Sequence, residues 1–373
     1  MIRCHVHLSG RVARAVAPKV SVIQSVESEV RVAPNKSDLY WKLSKGHLTA
    51  WVAISAFPGF AISVTWPFSA PVAASVLVGT ALTSACAQSL NQLIEVDRDA
   101  VMLRTRMRPL PTGQLSIDDA KRFAIVSGGL GTAILIAGTG QFLPAGIAAS
   151  TAVLYAGLYT PMKVRSEYNT HVGAIVGSLP VLIGFAAAGV SLTSCLSPWV
   201  LFSLQTLWQF PHFYALAWLH KEDYARGGYR MSPMLDPTGD ITARMCIPYL
   251  GALTLLPFGS SWLGVTSWMF AISGLVPNLL WIKLGFVPFF KTPNKETARN
   301  FFLHSLWYLI AMYATFVIHA KEESVCKERD WREALRLTML EVCPHAYLER
   351  DALVPSELCP VKDELKPSLK SKD

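Results

Sequence analysis

The feature that most constrains this chain is a succession of long apolar segments separated by short polar connections. From Leu48 onward nine such segments follow one another, each close to the roughly 20 residues that a helix needs to cross a bilayer. In hydrocarbon every backbone N–H and C=O must be bonded within the chain, so segments of this length are satisfied as helices. We therefore predict an all-α, polytopic membrane protein with nine spans, eight being the alternative count. The predicted spans are 48–67, 71–95, 121–139, 142–161, 171–190, 197–219, 244–260, 264–285 and 300–319.

Composition agrees with this prediction. Hydrophobic residues make up 51% of the 373 residues and charged residues only 16%, which is too apolar for an ordinary soluble domain. The net charge of +8 could suggest a nucleic-acid partner, but the basic residues lie in short connections, where they set membrane orientation. We therefore expect no nucleic acid. The seven cysteines form no Cys-x-x-Cys pair, so neither a zinc site nor a disulfide framework is indicated. Gly173, Gly177 and Gly184 predict close helix contacts in the fifth span.

Basic residues alternate between the connections. The connections after the second, fourth, sixth and eighth spans carry Lys and Arg, whereas those after the first, third, fifth and seventh carry none. Because positive charge favours the inner side of a membrane, the N-terminus and all even-numbered connections are predicted to share one side.

The two ends of the chain differ from the apolar region between them. Residues 1–38 contain several arginines before the first acidic residue, Glu27, which is typical of a mitochondrial presequence; a basic disordered tail is the alternative. Residues 39–320 then form the membrane domain, and residues 321–373 a polar, partly disordered tail. The predicted location is the mitochondrial inner membrane, with the even-numbered connections in the matrix.

The second span ends in three polar residues spaced four apart, Asn91, Glu95 and Asp99. Steps of four place them on one helix face, which we call the polar ladder. A proline-containing loop with Arg104 and Arg108 follows. Mg²⁺ prefers one or two carboxylates together with water and phosphate oxygens, and arginines bind the same oxygens through charge-assisted hydrogen bonds. The pattern predicts a Mg-diphosphate site; the alternative is a solvated helix end with an orienting basic loop.

Two other even-numbered connections carry candidate residues. Lys163 and Arg165 follow the fourth span on the same predicted side as the ladder and could reach the same anion. The alternative is that they are ordinary charges that anchor the helix end at the membrane. After the sixth span, Asp223 lies eleven residues beyond His212, so the two share a helix face. A polar residue at membrane depth is a functional candidate, and for His212 the alternative is a structural hydrogen bond.

Three stretches resemble a known family, the UbiA-type intramembrane prenyltransferases, and most closely the branch that farnesylates protohaem IX in mitochondria. They read SLNQLIEVDRDAVMLRTRMRPLPTG, YTPMKVRSEYNTHVGAIVGSLPVLIG and LWQFPHFYALAWLHKEDYARGGYRM, with a weaker match at LSKGHLTAWVAISAFPGF. The combination of WQFPHF with DYARGGY is the most specific part. The matching stretches follow one another in order along nearly all of residues 40–319.

The resemblance implies a nine-helix bundle around a central cavity that opens to lipid. It places Asn91, Glu95 and Asp99 at a first prenyl-diphosphate motif and Asp223 at the end of a second. The second motif normally offers two aspartates four apart, but here Leu219 occupies the earlier position. That departure reduces the share of metal binding expected of Asp223 and leaves the number of metal ions, one or two, open.

The reaction implied by the resemblance is transfer of a farnesyl group from farnesyl diphosphate to a vinyl group of protohaem IX (haem b), giving haem O. Haem b would be a substrate and Mg²⁺ the cofactor. The implied metal-binding residues are Asn91, Glu95, Asp99 and Asp223, the implied diphosphate-binding residues are Arg104, Arg108, Lys163 and Arg165, and His212 would contact haem or organise water. The setting would be a lipid bilayer, and the resemblance leaves room for a homo-oligomer and for haem A synthase as a downstream partner.

Two alternatives remain at this point. A prenyltransferase acting on an aromatic quinone precursor such as 4-hydroxybenzoate would use the same diphosphate site, and only WQFPHF and DYARGGY argue against it. A haem transporter or scaffold is a different class, in which the buried polar residues would line a pathway. A one-sided cluster of acids and arginines fits that class less well, because a pathway needs polar residues on both sides of the membrane midplane.

Overall fold

A computed structural model describes residues 35–64 and 69–321 of the chain. The predicted presequence and polar tail lie outside these ranges, apart from residues 35–38 and Lys321. The described residues are helical, with one isolated β-bridge between Thr266 and Ala320, which confirms the predicted fold class. The helices are α1 (Lys36–Leu43), α2 (Gly46–Ser63), α3 (Ala70–Val101), α4 (Ile117–Thr139), α5 (Leu143–Met162), α6 (Asn169–Ala187), α7 (Ser197–Leu219), α8 (Lys221–Arg226), α9 (Asp240–Trp262), α10 (Trp268–Lys291) and α11 (Lys295–His319).

Each of the nine predicted spans contains a helix among its described residues, but the number nine is not confirmed. Within the described ranges, seven helices are long and apolar enough to cross a membrane, namely α3, α4, α5, α6, α9, α10 and α11. The other two predicted spans are α2, whose apolar character is reduced by His47 and Pro58, and α7, whose apolar character is reduced by Gln205, Gln209 and His212. The α10 helix begins and ends later than the predicted range 264–285, because a turn at Gly264 with positive φ precedes it.

The bundle has two apolar cores that share α6. One core joins α6 to the helices that precede it, and the other joins it to α7, α9, α10 and α11. From Pro180 to Ala187 every residue of α6 is buried. Large apolar side chains such as Ile125 and Leu255 cover the outer surface of the bundle, which suits contact with lipid. The central position of α6 therefore fixes the two halves relative to each other.

The close helix contacts predicted from the glycines of α6 are confirmed. A Cβ atom added at Gly173, Gly177 or Gly184 would lie less than 3.0 Å from a neighbouring helix. At Gly184 it would lie 1.9 Å from the carbonyl oxygen of Ala56 in α2. The facing helix uses the same device, since a Cβ at Gly59 would lie 2.8 Å from the carbonyl oxygen of Val181. The backbones of α2 and α6 are therefore in contact, as small residues permit in membrane helices.

The even-numbered connections lie at one end of the bundle. Lys163, after α5, reaches α3, and its carbonyl oxygen accepts a hydrogen bond of 2.7 Å from the backbone N–H of Arg230. The connection before α11 joins them through an ion pair of 3.2 Å between Lys295 and Glu222. This arrangement brings the predicted basic connections together around the end of α3.

We expect Gly184→Ala to destabilise the protein by about 1–3 kcal/mol, because the added methyl group overpacks a backbone contact. The measurement is thermal unfolding of the full chain in detergent. Gly251→Ala, in α9, is the matched control, because a Cβ added at Gly251 meets nothing within 4 Å. Equal unfolding temperatures for the two variants would show that the α2–α6 contact is looser than described.

Candidate functional site

The polar ladder lies on a single continuous helix, because α3 extends beyond its predicted end to Val101. Asn91 and Asp99 are fully buried, and Glu95 is 4% exposed. Burying three polar side chains in this way costs free energy unless partners compensate. Within the described part of the chain, Oδ1 of Asp99 is buried without a hydrogen-bond partner. The ladder is therefore not explained as a solvated helix end.

The two carboxylates of the ladder pair with cations from two different connections. Nζ of Lys163 lies 2.9 Å from Oε1 of Glu95, and Nη1 of Arg108 lies 2.6 Å from Oδ2 of Asp99. These side chains are at most 20% exposed. Removing one partner of a buried pair leaves an uncompensated charge, so the four groups depend on one another.

A third cation, Lys45, was not predicted from the sequence. Its Nζ donates a hydrogen bond of 2.5 Å to Oδ1 of Asn91. Lys45 precedes α2 with φ of 49°, a left-handed conformation that is uncommon outside glycine. Burial, together with the positive charges of Arg108 and Lys163, lowers the pKa of Lys45 well below its ordinary value. The available signal was its place at the start of the first apolar segment, on the same side as the basic connections.

A π-helical turn in α5, Leu154–Tyr159, directs several side chains toward the ladder. It is followed by Thr160, whose hydroxyl donates to the carbonyl of Tyr155 at 2.8 Å and accepts from Nδ2 of Asn91 at 3.0 Å. The ring of Tyr159 lies 4.9 Å from Nζ of Lys163. Such turns often mark functional positions because they shift the register of the side chains that follow.

Tyr229, in the connection after α8, is a second residue that the sequence reasoning missed. Its ring lies 5.9 Å from Nζ of Lys163, the lysine that pairs with Glu95. Burial and the nearby Glu95 carboxylate raise the pKa of Tyr229, so its hydroxyl remains protonated. The signal was the DYARGGY stretch, of which Tyr229 is the last residue.

Asp223 lies at the same end of the bundle but contacts the backbone of the arginine loop, which we define as residues 102–111. Its Oδ1 accepts from the N–H of Leu103 at 2.7 Å, and its Oδ2 accepts from the N–H of Arg104 at 3.0 Å. The guanidinium of Arg104 is exposed, 5.8 Å from the ring centre of Tyr224. Arg165 is exposed as well. The side chains of Arg104 and Arg165 are thus not joined to the ladder by any contact among the described residues.

His212 lies on α7, on the side that faces α11. Its Nδ1 is 2.6 Å from the hydroxyl of Ser305. Its ring stacks on Trp208 at a centroid distance of 4.5 Å and packs at a tilt against Phe302 at 4.7 Å. These contacts agree with the structural hydrogen-bond alternative for His212. Its predicted part in the chemistry stays a prediction.

The ladder can accommodate Mg²⁺ through a small set of oxygen ligands. In the described residues, no three His, Cys, Asp or Glu side chains form a cluster that could hold a metal ion by themselves. Mg²⁺ needs only one or two protein carboxylates when phosphate and water complete its octahedron. Glu95 and Asp99 with the Asn91 amide offer this donor set, and the unpartnered Oδ1 of Asp99 fits a cation.

The fold resembles that of solved membrane proteins. A structure of digeranylgeranylglyceryl phosphate synthase matches with a TM-score of 0.61 at 18% identity and covers 76% of this chain and 98% of that one. A UbiA homologue from Archaeoglobus fulgidus bound to DMAPP and Mg²⁺ matches with a TM-score of 0.54 at 17% identity, covering 75% and 99%. At these identities the likeness concerns the fold.

Sequence comparison gives the family. This chain is 35% identical to the mitochondrial protoheme IX farnesyltransferase of Arabidopsis thaliana over 75% of this chain and 64% of that protein. It is 39% identical to the protoheme IX farnesyltransferase of Solibacter usitatus over 65% of this chain and 82% of that protein, and 38% identical to the human mitochondrial one over 72% and 59%. It thus spans less than two thirds of the plant and human proteins. The UbiA prenyltransferase family matches residues 52–308. The chain therefore belongs to the UbiA prenyltransferase family.

Proposed function

We propose that this chain transfers a farnesyl group from farnesyl diphosphate to a vinyl group of protohaem IX (haem b), giving haem O. The observation that carries the proposal is the set of three largely buried cations, Lys45, Arg108 and Lys163, paired with the three polar side chains of the ladder. This set suits a diphosphate with a divalent cation, and the relatives named above are protoheme IX farnesyltransferases. The names of the relatives favour haem as the acceptor.

The cations act on the leaving group. Charge grows on the diphosphate as the allylic C–O bond breaks, so fixed cations in a dry site stabilise the transition state more than the ground state. Lys163 and Arg108 are held in place by Glu95 and Asp99, and Lys45 by Asn91. Mg²⁺ bound by Asn91, Glu95 and Asp99 would add neutralising charge on the diphosphate. Arg104, Arg165 and Asp223 remain predicted contributors.

The transfer forms one carbon–carbon bond and consumes one water. The electron pair of the breaking C–O bond leaves with the diphosphate, and the π electrons of the haem vinyl group form the new bond to the farnesyl carbon. The vinyl carbon left positive takes up water and releases a proton, giving the hydroxyethylfarnesyl group. Tyr159, whose ring lies 4.9 Å from Nζ of Lys163, would shelter the allylic cation by cation–π attraction. His212 stays a predicted contact for haem or water.

The proposed location is the mitochondrial inner membrane, where the chain crosses several times with its even-numbered connections in the matrix. The mitochondrial relatives and the seven apolar helices support a multi-pass mitochondrial protein. Self-association and transfer of the product to haem A synthase remain predictions.

One assay separates this function from its alternatives. The full chain in lipid nanodiscs receives farnesyl diphosphate, Mg²⁺ and either haem b or 4-hydroxybenzoate, and the products are analysed by mass spectrometry. Haem O supports the proposal, a prenylated phenol supports the quinone-precursor alternative, and haem binding without any product supports the scaffold. Haem A would not be expected, because no oxidation takes place.

We expect Asp99→Asn to lower turnover by roughly 100-fold or more while folding and membrane insertion are kept, since loss of a charged ligand removes several kcal/mol of transition-state stabilisation. Haem O formation at saturating substrate is the measurement. Asp97→Asn is the matched control, because this neighbouring carboxylate is exposed. Turnover equal to that of the control would remove Asp99 from the metal site.

We expect Lys45→Gln to raise the KM for farnesyl diphosphate by roughly tenfold or more, because one charge-assisted hydrogen bond is worth ~1.5–3 kcal/mol. Lys and Gln are both unbranched at Cβ, so the backbone cost of the left-handed conformation is unchanged. Lys42→Gln is the control, since that lysine forms an exposed pair with Asp38. An unchanged KM in Lys45→Gln would show that Lys45 only supports Asn91.

A further inference from the structure

The contacts of Asp223 differ from those of a free metal ligand. Both carboxylate oxygens accept hydrogen bonds from successive backbone N–H groups, those of Leu103 and Arg104, and Oδ1 also lies 3.2 Å from Nη2 of Arg226. The side chain is 10% exposed. Burial alone would raise the pKa of Asp223, but the N–H groups and the Arg226 charge lower it below its ordinary value. The anion is thus satisfied by protein donors.

A second contact joins the end of α3, just before the arginine loop, to the turn just after α8, and here the donor lies on α3. Arg98, near the end of α3, donates from Nη1 to the carbonyl oxygen of Gly227 at 2.8 Å, just beyond the end of α8. Gly228 follows with φ of +69°, and a Cβ there would lie 3.1 Å from Nη1 of Arg98. The turn after α8 therefore leaves the space that the guanidinium occupies.

Apolar packing closes the gap between these two polar contacts. Met102, the first residue of the arginine loop, is 2% exposed and forms a buried cluster with Tyr224, Tyr229 and Met231. A Cβ at Gly227 would lie 2.9 Å from Sδ of Met102. The start of the arginine loop is thus held against α8 and the connection after it by polar contacts on two sides and by an apolar contact between them.

The held segment leads directly to the site. Arg108 lies four residues after Arg104 in the arginine loop, and its guanidinium pairs with Asp99 at 2.6 Å. Within the loop, the hydroxyl of Thr105 donates to the carbonyl oxygen of Asp99 at 3.0 Å. A shift of the backbone at Leu103 and Arg104 would therefore move the Arg108 guanidinium relative to the ladder.

We propose that Asp223 and Arg98 form a clamp that positions the arginine loop over the polar ladder, and that Asp223 acts through this loop rather than as a metal ligand. The clamp fits the presence of Leu219 at the earlier position of the second motif, because a single carboxylate that binds the loop needs no partner four residues before it. This inference rests on the proposed farnesyl transfer for its link to activity, but the clamp itself can be measured without turnover.

The experiment compares Asp223→Asn and Arg98→Gln with Glu222→Gln in the full chain in nanodiscs. Glu222 is the matched control, because it is the adjacent acidic residue and its ion pair with Lys295 is about two-thirds exposed. Hydrogen exchange of the amides of Leu103 and Arg104 reports on the clamp directly. The dependence of haem O formation on Mg²⁺ and on farnesyl diphosphate reports on the two candidate roles.

The clamp predicts that these amides exchange at least roughly tenfold faster in both test variants than in the control. Asp223→Asn removes the charged acceptor of their hydrogen bonds, and Arg98→Gln removes the second contact that holds the loop against it. Both should raise the KM for farnesyl diphosphate severalfold, with the Mg²⁺ concentration for half-maximal activity unchanged within about twofold. A roughly tenfold higher Mg²⁺ requirement in Asp223→Asn alone would overturn the proposal, as would unchanged exchange in both variants. If the wild-type chain makes no haem O, the proposed function fails and the exchange data still decide the clamp.

Discussion

The arrangement of this protein depends on charge buried at the edge of a membrane. Glu95 and Asp99 lie at the end of α3, where Glu95 pairs with Lys163 and Asp99 pairs with Arg108. The two cations come from different connections. A carboxylate or a cation alone would be costly in such a place, whereas together they are stable enough to persist. The pairs also join connections that are far apart in the sequence. The same electrostatics that permits burial therefore assembles the end of the bundle.

Local helix irregularity and close packing bring these charges into register. The π turn in α5 directs Tyr159 and Thr160 toward α3. The glycines of α6 allow α2, α5 and α7 to pack closely against α6. Lys45 reaches Asn91 because the chain takes a left-handed conformation just before α2. The site thus draws on the start of the first predicted span and the ends of the second and fourth, and helix packing holds these together.

Much of this could be predicted from the sequence because it follows from periodicity. Segment length gives the helices, and a spacing of four places Asn91, Glu95 and Asp99 on one face. The alternation of basic connections predicts that Lys163 lies at the same end as the ladder. Lys45 and Tyr229 could not be found in this way, because their contacts with the ladder depend on how distant segments pack. Nor does spacing reveal that the Asp223 carboxylate turns toward backbone N–H groups.

The contact between α2 and α6 limits how the bundle can change shape. Main chain meets main chain at Gly184 and Gly59, and the ring of Phe185 packs directly against Gly59, so little space is left to absorb a displacement. Two helices joined in this way cannot slide along each other without steric overlap, so they move as a single strut. Any change in the shape of the bundle must accordingly carry α2 and α6 together, while the other helices shift relative to this pair.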